Sequence, residues 1–226
     1  MYPTKHDCQS RVRFYVAREC LDIMIPISCV LLAGGKSSRL GRDKQKEIVG
    51  GMRVVDREIS VLTQLSDDIV MVGDTLFRQA ELGIVGGIRC VTDIYPGYGS
   101  LGGLFSGLSH CKYDWAVVVA GDMPFLNQRL FEDLSSKISD DIDAVVPKFE
   151  GRMQTTHALY SKNCLPHIGD SIRNGNLRMN SYFDSIGLQI VELDNVMPKI
   201  INSFLNINTE DDLKEARHIA LVNQCL

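Results

Sequence analysis

Short apolar runs alternate with amphipathic stretches along most of the chain. Residues 29–33 are aliphatic and run straight into glycines, the pattern of a strand buried on both faces. A polar stretch follows Lys44 and ends at Gly50-Gly51; Val54, Val55, Ile59, Leu62 and Leu65 then recur at near-helical spacing, which predicts an amphipathic helix. Residues 68–72 predict a strand closed by Gly73-Asp74, residues 78–82 a short helix, and residues 88–92 a strand ending at Asp93. Residues 101–111 read as a helix of small residues, with Gly103 and Gly107 on one side for close packing. Residues 115–120 form the most apolar strand and so the expected centre of the sheet. Asn127 is placed to cap a helix carrying Leu130, Phe131, Leu134 and Ile138. Strands are expected at 144–147, 154–160 and 188–193, a helix from a Ser161 cap to about Ile172, and a short helix ending near Phe183. Thr209 and Asp212 form a capping box for a last helix with Leu213, Ala216, Ile219 and Ala220.

The β-α-β-α-β order implies parallel strands with right-handed crossovers. The expected fold is a single α/β domain: one doubly wound, mostly parallel sheet with helices on both faces. Residues 1–24 stand apart, with Lys5, Arg11, Arg13 and Arg18 set among apolar residues and no run long enough for a secretory core. They read as a loosely ordered N-terminal extension or a short helix packed on the domain, which then spans residues 25–226.

A chain of 226 residues supports one large domain, and 45% hydrophobic with 23% charged residues is ordinary globular composition. A net charge of −4 argues against bulk nucleic-acid binding, and no apolar run approaches a membrane span. Seven cysteines without a C-x-x-C pair indicate neither a disulfide framework nor a zinc site, and point to a reducing cytoplasm. Asp140, Asp141 and Asp143 lack the glycine and final glutamate of a calcium loop and read as a solvated turn.

Positive charge is concentrated behind the first strand. Gly34, Gly35 and Gly41 are interleaved with Lys36, Arg39, Arg42 and Lys44, a loop suited to a polyphosphate. Gly35-Lys36-Ser37 looks like the end of a Walker loop, but Val30 stands where that motif needs its first glycine. Asp93 and the glycine loop both occupy strand ends, where open α/β sheets bind ligands. Gly97, Gly99 and Gly102 fit a dinucleotide fingerprint, yet residues 93–96 separate them from the preceding strand and Pro96 cannot continue a ladder. Asp122, in Gly121-Asp122-Met123-Pro124, follows the most apolar strand and is placed beyond the sheet. No Ser/Cys–His nucleophile pair is evident, so the residues suggest in-line phosphoryl chemistry by positioning and charge. His157 reads mainly as a structural histidine, Arg173 and Arg178 as a second anion site or surface charge, and Asn206 and Asn208 as turn residues.

Residues 32–44 resemble the signature L-A-G-G-x-S-x-R-x-G-x-D-K of the molybdenum cofactor guanylyltransferases, within the nucleotidyltransferase superfamily, at every fixed position. Cytidylyltransferases are similar but tend to have alanine at Gly34 and to lack the aspartate before Lys44. Gly99-Ser100-Leu101-Gly102-Gly103 resembles the family's G-P-L-G-G with serine for proline, and Gln154 to Tyr160 resembles Q-P-L-x-A-L-Y with Thr155 for proline. The resemblance implies a Rossmann-like nucleotidyltransferase that joins GMP from GTP to molybdopterin and releases pyrophosphate. It implies that Leu32, Ala33, Gly34, Gly35 and Asp93 bind the nucleotide, that Lys44 and Arg39 hold the triphosphate, and that Asp122 binds Mg²⁺. Asn206 and Asn208 match N-x-N-T, whose asparagines lie on the pterin side. The implied partners are GTP, molybdopterin and proteins that transiently supply or accept the cofactor, with neither nucleic acid nor membrane. Three rivals stand beside this reading: a sister transferase using CTP or a sugar phosphate, an NAD-dependent oxidoreductase built on the Gly97 loop, and a non-catalytic nucleotide sensor.

Overall fold

The computed structural model describes residues 26–34, 40–193 and 198–224. The proposed extension and the signature residues Gly35 and Arg39 lie outside them. In chain order the elements are β1 (Ile27–Leu32), β2 (Ile48–Val49), β3 (Met52–Arg53), α1 (Val54–Leu65), β4 (Ile69–Gly73), α2 (Arg78–Glu81), β5 (Ile88–Thr92) and α3 (Gly99–His110). There follow β6 (Trp115–Ala120), α4 (Gln128–Ser135), β7 (Ala144–Phe149), β8 (Arg152–Met153), β9 (His157–Ser161), α5 (Cys164–Arg173), β10 (Leu188–Glu192), α6 (Pro198–Ile201) and α7 (Glu210–Gln224).

The main sheet runs β10-β7-β9-β6-β1-β4-β5, with β8 paired to β7. β6, β1, β4 and β5 are mutually parallel, β10 is parallel to β7, and β9 is antiparallel to both its neighbours. The expected mostly parallel sheet is therefore present, with one reversed strand inside it. From β1 the chain winds outward through α1 to β4; from β5 it returns through α3 to the other side of β1. The winding thus reverses between β1 and β6, and such a reversal opens a crevice at the carboxyl ends of the strands.

Register brings those ends level. Leu32 pairs with Val72 on one side and with Ala120 on the other. Gly73 in turn pairs with Thr92. The residues that follow, Gly34, Asp93 and Asp122, are delivered to a common edge.

Both faces of the sheet are buried. Cys29 and Leu31 pack with Val55 and Leu62 of α1 and Phe131 and Leu134 of α4 on one side. Val30 packs with Leu101, Leu104 and Leu108 of α3 and Ile168 of α5 on the other. Fully burying each such leucine or valine contributes roughly 1.5–3 kcal/mol. The small-residue side of α3 lets it sit close on β1: a Cβ on Gly107 would lie 2.3 Å from Val30 Cγ1.

The stretch after Lys44 is more ordered than its polarity predicts. Gly50 and Gly51 take φ values of 60° and 80° and close the β2–β3 hairpin. Val49 and Val54 pack with Ile207, Leu213 and Ala216, so the C-terminal helix rests on this hairpin. The predicted capping box is present: Thr209 N–H donates to Asp212 Oδ2 and Asp212 N–H to Thr209 Oγ1, at 2.8 and 3.2 Å. Four local expectations change. The strand expected at 154–160 is β9, which starts at His157, and in place of a helix ending near Phe183 a 3-10 turn spans Phe183–Ser185. Ser161 ends β9 and accepts the Asn163 N–H, while α5 begins at Cys164. Asp143 is not a solvated turn residue, since its carboxylate accepts from Asn163 Nδ2 and Gly187 N–H at 3.0 Å each. Among the described residues no helix is long and apolar enough to cross a membrane.

Candidate active site

The level strand ends enclose a cavity of about 400 Å³. Leu32, Ala33 and Gly34 form one wall, Asp93, Gly97 and Gly99 another, and Lys44 and Asp122 a third. The walls are tied by backbone bonds: Ala33 N–H to Val72 O at 2.8 Å and Gly121 N–H to Leu32 O at 3.0 Å. Gly121 leaves no room for a side chain, since a Cβ there would fall 1.9 Å from Gln45 Nε2.

Lys44 opens a single 3-10 turn, Lys44–Lys46, whose N-cap Asp43 accepts the Gln45 N–H at 3.2 Å. Its ammonium pairs with Asp122 Oδ2 and reaches Asn208 Oδ1 at 3.3 Å. Asp122 is 8% exposed, and its second oxygen, Oδ1, is buried without a hydrogen-bond partner. A buried carboxylate oxygen left unpaired is costly. Asp122 also lines the cavity.

Arg78, at the first turn of α2, joins the end of β1 to the residues around Lys44. Its guanidinium takes Asp43 in a two-bond fork, Nη1 to Oδ2 at 2.8 Å and Nη2 to Oδ1 at 2.9 Å. It also donates to Gln45 Oε1 at 2.7 Å and to Ala33 O at 3.2 Å. Burial raises the Asp43 carboxyl, but the Arg78 hydrogen bonds and charge outweigh it and hold the group below the usual carboxylate range.

Asp93 is held by its own turn. Its Oδ1 accepts from Tyr95 N–H at 3.0 Å and Ser106 Oγ at 2.8 Å, which fixes the carboxylate at the start of the glycine loop. Gly97 and Gly99 line the cavity with it, so the fingerprint-like glycines serve this site without following their strand directly.

The C-terminal segment reaches the site from the other side. Ile207 N–H donates to Asp122 O at 2.9 Å, between Asn206, whose buried Oδ1 is unpartnered, and Asn208 on Lys44. His157 is not at the cavity. It is 1% exposed, stacks on Phe131 at 4.6 Å between ring centroids, and meets Ser203 Oγ at 2.9 Å through Nε2. Burial pushes its pKa down to about 3. Arg173 pairs with Asp170 on the surface, and neither it nor the exposed Arg178 lines the cavity.

Sequence reasoning missed Arg78, Gln45 and Glu58. Arg78 read as the start of a short helix, and Gln45 as part of a polar stretch. Glu58 lies at a core position of α1, buried and donor-facing, with Oε1 accepting the Met123 N–H at 2.9 Å. A carboxylate in line with Val54 and Leu62 at i, i+4 and i+8 was the available signal.

A lysine and a carboxylate lining a cavity of about 400 Å³ at the winding reversal of an open α/β sheet suit a nucleotidyltransferase. Within that class, residues 29–184 match the MobA-like NTP transferase domain, and the chain belongs to that family. A probable molybdenum cofactor guanylyltransferase of Clostridium perfringens is 32% identical over 197 residues, covering 85% of this chain and 96% of the relative. The molybdenum cofactor guanylyltransferase of Desulfosudis oleivorans is 30% identical over 197 residues, covering 85% and 95%. The crystal structure of molybdopterin-guanine dinucleotide biosynthesis protein A from Archaeoglobus fulgidus shares the fold, with a TM-score of 0.74 at 24% identity over 87% of this chain and all of that one.

Proposed function

We propose that this chain transfers GMP from GTP to molybdopterin, in the cytoplasm, releasing pyrophosphate. The observation that carries the proposal is the Lys44–Asp122 pair, with the free Asp122 Oδ1 beside it, at the edge shared by the family's glycine loop. An oxygen of the acceptor's phosphate attacks the α-phosphorus. The α–β bridging P–O bond breaks, and its electron pair leaves with pyrophosphate.

No covalent protein intermediate is needed, so the residues act by placement and charge. Leu32, Ala33 and Gly34 bound the nucleoside side of the cavity, with Asp93 and the Gly97–Gly99 loop opposite. Lys44, and Arg39 by the signature, balance the charge gathering on the leaving pyrophosphate. Asn208 steadies Lys44 from the acceptor side, and Asn206 beside it supplies an unused acceptor for the pterin. Mg²⁺ takes hard oxygen ligands, and the unpaired Asp122 Oδ1 fits that requirement. Bound there, the ion would screen phosphate charge and act as a Lewis acid.

The test is incubation with each nucleoside triphosphate, Mg²⁺ and molybdopterin, followed by mass analysis and pyrophosphate assay. A GMP adduct and pyrophosphate with GTP alone are expected. Product with CTP alone, or nucleotide binding without pyrophosphate release, would overturn the reading.

A further inference from the structure

One peptide unit, 122–123, is gripped at both of its polar atoms. Its carbonyl, Asp122 O, accepts Ile207 N–H at 2.9 Å. Its amide, Met123 N–H, donates to Glu58 Oε1 at 2.9 Å. The two partners come from opposite ends of the chain, the first long helix and the C-terminal segment. Holding both atoms restrains one of the two peptide planes that meet at the Asp122 Cα, and so limits the directions open to its Cα–Cβ bond.

Glu58 is a costly way to hold an amide. It is fully buried, faces no cation within hydrogen-bond distance among the described residues, and leaves Oε2 without a partner. Burial first, and then the nearby Asp122 charge, raise its carboxyl well above the ordinary range. Its neighbours on the same stripe, Val54 and Leu62, are apolar and fully buried. An aliphatic residue in this place would remove the burial cost. It would also leave the Met123 N–H unpaired and the Asp122 plane held at one atom only.

We infer that Glu58 is a positioning residue, which aims the Asp122 carboxylate at the metal and triphosphate through the Met123 amide. The inference rests on the proposed role of Asp122. Groups that orient a metal ligand from behind typically contribute 10–100-fold to metal affinity. Small misplacements can cost on the order of 10²-fold in rate.

Glu58→Met keeps the length and removes the acceptor, whereas Glu58→Gln keeps an oxygen for the Met123 N–H. Binding of Mn²⁺ to each protein, with a non-hydrolysable GTP analogue bound, is read by electron paramagnetic resonance. Exchange of the Met123 amide is read by NMR in the metal-free protein. Glu58→Met should weaken Mn²⁺ by about tenfold or more, speed Met123 exchange, and leave metal-free analogue binding as in the wild type. Glu58→Gln should restore both readouts. Wild-type Mn²⁺ affinity in Glu58→Met would overturn the inference. So would a loss in a folded Glu58→Gln as large as that in Glu58→Met, and this second variant decides the matter where Glu58→Met does not fold. Asp122→Asn serves as the control: if it too binds Mn²⁺ normally, the role of Asp122 fails; if it alone loses the ion, only the role of Glu58 does.

Discussion

Arg78 and Asp43 lie 35 residues apart and meet in a two-bond fork at 2.8 and 2.9 Å. The contact ties the residue before Lys44 to the end of β1, because Asp43 directly precedes Lys44 and Arg78 also holds Ala33 O. Lysine cannot reproduce a planar fork. Arg78→Lys should therefore raise the KM for GTP more than it lowers kcat. Arg78→Met, which leaves the half-buried Asp43 carboxylate without its fork, should cost about 1 kcal/mol of stability. Steady-state kinetics and urea unfolding of the two variants check this, and equal KM values in Arg78→Lys and wild type would remove Arg78 from the nucleotide wall.

Asp122→Asn keeps the side-chain size and an oxygen for Lys44 but loses the negative charge. Turnover should fall by about 10²–10³-fold, equivalent to roughly 3–4 kcal/mol of transition-state stabilisation. The melting temperature should barely move. Metal-free GTP binding should improve slightly, because a like charge has left the phosphate site. Near-normal turnover in this variant would sink the mechanism.

His157 sets part of the acid limb of stability. Its folded pKa is depressed from 6.5 to about 3, so the unfolded chain binds the extra proton first as pH falls. The contribution is whole above pH 6.5 and is lost progressively as pH drops towards 3. In total it amounts to a few kcal/mol, on the order set by linkage. Glu58 works in the opposite sense: its raised pKa favours the fold most below the ordinary value of 4.5 and less as pH rises through the folded value. Urea midpoints of His157→Phe should fall less between pH 6.5 and 3 than those of wild type, and parallel pH profiles would refute the assignment.

Gly107 is the point of closest approach between α3 and β1. A methyl group there meets Val30 Cγ1 at 2.3 Å and Cγ2 at 3.0 Å, so helix or strand must shift. Overpacking of this kind costs about 1–3 kcal/mol. Gly107→Ala should lower the melting temperature, and Gly107→Ala with Val30→Ala should recover much of the loss. Additive destabilisation in the double variant would show that the two residues do not press on each other.

The central strands were legible because burial on both faces leaves a plain signature. Residues 115–120 were read with the bounds of β6 itself. The same signature hid direction: His157–Ser161 is buried throughout, and a doubly buried strand looks alike whichever way it runs, so the antiparallel β9 did not show. The β2–β3 hairpin has two residues per strand, too few for any period to appear. Within the cavity wall, Asp93 and Asp122 are marked locally by a strand end and by Gly121, and Lys44 closes the signature that begins at Leu32. Arg78 carries no such mark, and the mark of Glu58, a carboxylate on the apolar stripe of α1, does not name its partner; the partners lie 35 and 65 residues away, a relation that only the folded sheet creates.

The contacts of Lys44 also order events in time. It meets Asp122 across 78 residues of chain and Asn208 across 164. Closing loops of that length is entropically slow, and the longer waits for the more distant segment to exist. During synthesis the glycine cradle and β6 can assemble around Lys44 while Asn208 is still untranslated. A nascent chain can therefore hold Lys44 against Asp122 before Asn208 exists, and Asn208, the later of these two partners to be made, adds its contact afterwards.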